Sequence, residues 1–217
     1  LQQQHLEVTR RYFMQLGAAG FAVMNAHPLW AKDSDEAILD DATEDLEYLT
    51  HPNEFGTVER GKPLPYRLPL EKRLEIGLER ETWKLDVIPD PRSNVLMGNP
   101  LSREKGNALD FKRLMKLAQK HSVRFLKIMT CNNMIKPLGM GLWEGVPLRD
   151  VIWTTRPAAN IRRVFYYGHH NEDPKQRFQS SLPIGRVLEA PPGDNPVILC
   201  YKLNGKWLSG RRGGPVR

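Results

Sequence analysis

Between Asp110 and Lys120 the apolar residues Phe111, Leu114, Met115 and Ala118 recur at three- and four-residue spacing. That spacing predicts a helix with one apolar face, and Asp110 stands where a side chain accepts from the free N–H groups of the first turn. Val123–Thr130, VRFLKIMT, is rich in β-branched and large apolar residues and predicts a strand that ends at Cys131. Ile161–Tyr167 predicts another, and Trp83–Ile88 alternates apolar with polar as a half-buried strand does. Between Val197 and Leu208 the pair Asn204-Gly205 separates two apolar runs, the strongest hairpin signal in the chain. Strands and short helices follow one another with no βαβ period. The expected fold class is α+β, with mixed β-sheets and short helices rather than a doubly wound sheet.

Outside these segments the pattern weakens. Residues 33–50 place Ile38, Ala42, Leu46 and Leu49 at helical spacing behind a cap at Asp33 or Asp35. From His51 to Pro69 proline and glycine are frequent, which predicts an extended arm. Pro89, Pro91 and Gly98 mark a loop. The expected organisation is an N-terminal segment over 1–32, an acidic helix and arm over 33–82, and a main domain over 83–217. No internal repeat, phosphate-binding glycine loop, dinucleotide fingerprint, zinc-protease motif or serine nucleophile elbow occurs.

Charge adds an asymmetry. The 217 residues carry a formal net charge of +7. Residues 33–50 hold eight acidic side chains and no basic one, whereas 201–217 hold five basic and no acidic. A positive C-terminal segment suits an anionic ligand. Nucleic acid is not the expected partner, because the cations are dispersed and no RNA-binding aromatic pattern accompanies them. No run approaches the length of a membrane-spanning helix, so no stable membrane span is expected.

Residues 9–15, TRRYFMQ, precede a Gly/Ala-rich apolar stretch from Leu16 to Ala26. Adjacent arginines, Phe13 and a short apolar run predict a twin-arginine export signal over 1–32. The competing reading is an amphipathic helix with a chance Arg-Arg pair. The signal implies the twin-arginine export machinery as a partner and a periplasmic or otherwise exported location. That route carries folded cargo, often with a cofactor already inserted.

Two cysteines, Cys131 and Cys200, are too few for a disulfide framework or a four-cysteine zinc site, although one bridge between them is open. Cys131 is the chemically interesting one. It follows a strand and opens a polar turn, so a rigid strand can aim its soft sulfur at a transition metal whose other ligands come from a cofactor. Taken alone, a cysteine in that position is more often a small buried hydrophobe.

Its surroundings change the balance. MTCNNMIKPLGMGLWEGVPLRDVI, residues 129–152, resembles the molybdenum-binding stretch of the sulfite oxidase family, in which a cysteine follows a strand and is itself followed by a tryptophan and a G-V-P-L-R-D-V-L segment. YYGHHNEDP resembles the family's Gly-x-Asp-x-Asp-Pro turn, SSLPIGRVLE its A-S-I-P-L segment, and YKLNGKWLSGRRGGPVR its Y-E-M-N-G…G-x-P-V-R ending. The resemblance runs in order from about Trp83 to Arg217. It implies the sulfite oxidase fold and an oxidoreductase carrying a molybdenum-molybdopterin cofactor. Cys131 matches the family's metal-binding cysteine. Arg217 matches a cofactor-binding arginine, Arg212 stands where the family has His or Asn at the cofactor, and Asp173 matches an aspartate that contacts it. Arg211, His169 and His170 are weaker candidates; paired histidines in a loop are more often exposed.

Further implications are oxygen-atom transfer to or from a small anionic or sulfur-containing substrate, with electrons passed to a cytochrome or other haem protein. The sequence departs from sulfite oxidases after the cysteine: Asn132, Asn133, Met134, Ile135 and Lys136 replace Ala-Gly-Asn-Arg-Arg. Lys136 keeps a positive charge where the family's substrate-binding arginine stands, so it is expected to act with Cys131 in catalysis. The family's Arg-Asn-His loop is not recognisable in 51–82. Its catalytic tyrosine, further pterin contacts and dimerisation domain would follow Arg217, so the domain is expected to be incomplete at its C-terminus. Two alternatives follow. One is the reductive branch, similar to the periplasmic methionine sulfoxide reductase catalytic subunit. The other is a cofactor-free relic or binding module.

Overall fold

The computed structural model describes residues 49–217 apart from 52, 59–61, 132–133, 172, 174, 176 and 192. The export signal expected over 1–32 and nearly all of the acidic helix expected over 33–50 lie outside the described residues, as do Asn132 and Asn133.

Among the described residues, three antiparallel sheets and four short helices make up the α+β fold. A two-stranded ribbon pairs β1 (Lys84–Leu85) with β2 (Leu109–Asp110). The main sheet holds β3 (Val123–Met129), β4 (Gly139–Pro147), β7 (Ile198–Leu203) and β8 (Lys206–Trp207) in that spatial order. A separate hairpin pairs β5 (Arg163–Gly168) with β6 (Phe178–Pro183). The helices are α1 (Leu70–Glu75), α2 (Phe111–His121), α3 (Leu148–Thr154) and α4 (Ile184–Leu188). No helix among the described residues is long and apolar enough to cross a membrane.

Local chemistry explains the elements the pattern predicted. Asp110 accepts the Arg113 N–H at 2.7 Å and starts α2, whose Leu114 and Ala118 are buried. The β7–β8 turn takes positive φ at both Asn204 (51°) and Gly205 (72°), the conformation a two-residue hairpin of this twist requires. The strand expected over 83–88 is shorter, continuing past β1 only as a single bridge from Val87 to Leu101. The arm contains one 3-10 turn at Pro65–Arg67 and docks along the main sheet, with the Thr50 N–H donating to Met140 O at 3.0 Å.

The central strand, β4, escaped the pattern because Gly139, Gly141 and Gly145 interrupt it. Gly145 is needed for space: a Cβ there would lie 2.6 Å from the Leu199 carbonyl oxygen of β7, at the bulge beside Glu144. Three apolar clusters follow from this layout. One packs α2 on Val146, Val151 and Tyr201; one gathers Phe55, Leu138, Trp143, Cys200 and Leu208; the third joins α3 to α4 through Leu148, Ile152, Val187 and Leu188.

Candidate functional site

β3 delivers its last residues to the wall of a large cleft. Pleating puts Phe125, Lys127 and Met129 on one face of the strand, and all three line that cleft together with Thr130 and Cys131. Trp143 fixes the strand from its neighbour, its indole N–H donating to Lys127 O at 3.0 Å. Cys131 is half-buried against the Phe55–Trp143 cluster, and its carbonyl accepts the Met134 N–H at 3.0 Å to close the polar turn.

The second cysteine is chemically different. Cys200 is 4% exposed, and burial pushes its thiol up to about 12 against the opposing pull of the Lys202 backbone contact and the Arg217 charge. The two sulfurs form no disulfide. Cys200 is therefore a buried protonated thiol, while Cys131 has access to the cleft.

The C-terminal loop supplies the charges opposite. Arg217 pairs its backbone with Cys200 in both directions, at 2.7 and 2.9 Å, which ties the end of the loop to β7. Its Nη1 donates to Arg212 O at 3.4 Å. Arg212 in turn donates from Nη1 to Gly56 O (2.6 Å) and Thr57 Oγ1 (2.8 Å) and lies 4.8 Å over the Phe55 ring. Arg211 Nε also donates to Thr57 Oγ1, at 3.2 Å. Burial, and then the adjacent Arg211 charge, lowers the Arg212 pKa from its ordinary value; a guanidinium stays cationic all the same. Phe55 thus links the two halves of the site: it shares a cluster with Cys131 and carries Arg212 on its face. Gly214 lets this loop close, since a Cβ there would overlap the Leu208 carbonyl oxygen.

The expected residues fall into two groups. Cys131, Asp173, Arg211, Arg212, Arg217, His169 and His170 all line one cleft of about 2690 Å³. Asp173 holds its own turn, with Oδ1 accepting the Lys175 N–H at 2.9 Å while its N–H donates to Asn171 Oδ1 at 2.9 Å. Lys136 is the exception: it is exposed in the turn after Cys131 and does not line the cleft. The sequence reading passed over the arm residues Phe55, Gly56 and Thr57, and over Lys127, whose place on the cleft face follows from strand alternation. It also passed over Arg162, Arg163 and Arg177 on the β5–β6 wall. Among the described residues, fourteen lysines and arginines line the cleft against four carboxylates. No group of three or more His, Cys, Asp or Glu among them could hold a metal ion by itself.

Such a site suits an anionic cofactor that brings its own metal ligands and asks one sulfur of the protein. A half-buried thiol on a rigid strand end fits a soft transition metal, and paired guanidinium groups fit a phosphate. The family model of the oxidoreductase molybdopterin-binding domain matches residues 80–217. The chain belongs to this family, and its cofactor is molybdopterin with molybdenum. No curated protein matches the chain.

Proposed function

We propose that the chain is the molybdenum-binding part of an exported enzyme that oxidises a small sulfur oxyanion such as sulfite and passes the electrons to a haem protein. The observation that supports this reading most is the excess of cations in the cleft that Cys131 enters. The bound cofactor supplies two-electron oxygen-atom transfer chemistry. The chain's own residues bind and orient. Cys131 provides the protein sulfur, Arg212 and Arg217 hold the anionic part of the cofactor, and Asp173 accepts from its N–H groups. The remaining positive field draws in an anionic substrate and holds it through charge-assisted hydrogen bonds. Lys127, on the cleft face of β3, takes the substrate-attracting role that the family resemblance gives to Lys136.

Lys127→Gln should raise KM for sulfite about tenfold or more, one charge-assisted contact being worth about 1.5–3 kcal/mol. Lys136→Gln should leave it within twofold. Sulfite turnover should also weaken as salt is added. The reverse order of the two variants would return the role to Lys136.

The exposure of Lys136 away from the cleft favours a second reading, the reductive branch acting on a neutral sulfoxide. Turnover of methionine sulfoxide that is indifferent to salt and to Lys127→Gln would establish it. Export by the twin-arginine route is part of the proposal; Arg10→Lys/Arg11→Lys should retain the protein inside the cell, and unchanged export would remove that part.

A further inference from the structure

The β5–β6 hairpin is a two-stranded sheet, and no third strand joins it among the described residues. Its register pairs Val164 with Leu182, and both pack on the α3–α4 cluster. Alternation puts Arg163, Phe165 and Tyr167 of β5 on the opposite face, across from Pro183, Ser181 and Gln179 of β6. That face is open: Phe165 is 50% and Tyr167 44% exposed. Aromatic rings clustered on a solvated face mark a contact surface. Two arginines frame them. Arg163 donates from Nη2 to Ser181 Oγ at 2.8 Å, and the Arg177 guanidinium lies 4.2 Å from the centre of the Tyr167 ring.

Charge says what kind of partner this face fits. Residues 161–171 and 175–183 carry Arg162, Arg163, Lys175 and Arg177 and no carboxylate; the two acids of the hairpin, Glu172 and Asp173, lie in its turn. Among the described residues Arg162, Arg163 and Arg177 enter no ion pair. Exposed aromatics beside arginines without carboxylate partners are the side chains that anchor protein–protein contacts. A second copy of this chain is a poor match, because it brings the same net charge of +7. The complementary partner is an acidic protein. The hairpin is also a wall of the cleft, so a protein resting on it adjoins the cofactor site. In the proposed reaction one sulfite and one water give sulfate, two protons and two electrons, and a ferric haem takes one electron. Two haems must therefore arrive and leave in each turnover, which suits a small aromatic patch with a charged rim rather than a large sealed interface.

We propose that the Arg163–Phe165–Tyr167 face of the hairpin is the docking surface for an acidic haem protein that accepts the enzyme's electrons. The inference rests on the proposed transfer of electrons to a haem protein and names the surface that receives it.

Binding of oxidised cytochromes to the full-chain holoenzyme tests it, with an acidic c-type cytochrome and a basic one of similar size as probes. The acidic cytochrome should bind at low salt and the basic one at least tenfold more weakly. Phe165→Ser/Tyr167→Ser leaves the charge unchanged and should raise Kd for the acidic cytochrome about tenfold or more, the size of effect expected at an interface anchor. Arg163→Gln/Arg177→Gln should slow association and flatten its dependence on salt. Ile135→Ser, which removes a fully exposed apolar side chain from the turn after Cys131, should leave Kd within twofold. Binding of neither cytochrome by the wild type would overturn the proposal, as would a wild-type Kd in Phe165→Ser/Tyr167→Ser or a loss confined to Ile135→Ser. Retention of a single-stranded oligonucleotide, or a dimer, that the aromatic variant abolishes while cytochrome binding is unchanged would also overturn it. If the cytochrome binds through this face and sulfite does not reduce it, the docking surface stands and the sulfite reading falls.

Discussion

The two cysteines divide the chemistry of this molecule between them. Cys131 ends a strand at the cleft, where a thiolate can meet a metal; Cys200 sits inside the sheet, where burial holds its proton on up to about pH 12. That difference has a consequence for stability. Cys200 loses its proton near its ordinary value of 9 when the chain is unfolded and near 12 when it is folded. A pKa raised by folding stabilises fully below the unfolded value, and this part of the stability is lost as pH rises through the folded one. Cys200→Ala should therefore flatten the decline in urea-unfolding free energy between about pH 9 and pH 12, leaving the part due to Tyr201, whose phenol is raised by burial and by Glu144. Equal slopes in variant and wild type would show that the thiol does not couple to folding. A third residue, Gly214, shapes the site without touching a ligand. Gly214→Ala forces the Arg212–Arg217 loop away from Leu208 and should cost about 1–3 kcal/mol in urea unfolding, as overpacking does. An unchanged midpoint would mean that the loop has room to relax.

Elements with a complete local code were legible in the sequence; those whose code is tertiary were not. α2 has its apolar spacing and its cap within a dozen residues, and the β7–β8 hairpin has its Asn-Gly turn, so both stand where the pattern put them. β4 runs through three glycines that local reasoning counts against a strand. What makes it central is that, besides its sequence neighbour β3, it contacts β7 and the arm, both remote in sequence. The same distinction predicts that the cap of α2 contributes independently of the cleft. Asp110→Ala should destabilise the protein by about 1 kcal/mol in urea unfolding and leave the cofactor content unchanged. A loss of cofactor would mean that the helix start is coupled to the cleft through β2.

At the scale of the whole molecule, the cleft is assembled from segments far apart in the chain. Cys131 closes β3, Arg212 and Arg217 lie in the C-terminal loop, and Thr57 of the arm receives bonds from both Arg211 and Arg212. Motif resemblance pointed to Cys131, Asp173, Arg212 and Arg217, and all four line the cleft. Their sharing one cleft, and the part played by Phe55, Gly56 and Thr57, depend on packing that no local pattern encodes. Lys136 shows the limit of carrying a position across: the spacing after the cysteine matches the family, yet the turn leaves this lysine exposed and off the cleft, while Lys127 lines it. Family membership gives the chain its molybdenum-molybdopterin cofactor; the central proposal is that the sulfur of Cys131, at the wall of the cation-lined cleft, is the protein's ligand to the metal. Elemental mass spectrometry of the purified full chain, produced in a host that makes the cofactor, tests this most directly. Molybdenum near one atom per chain in the wild type, falling to near zero in Cys131→Ser with the fold intact, is the predicted result; equal molybdenum in both proteins, or none in the wild type, would contradict it.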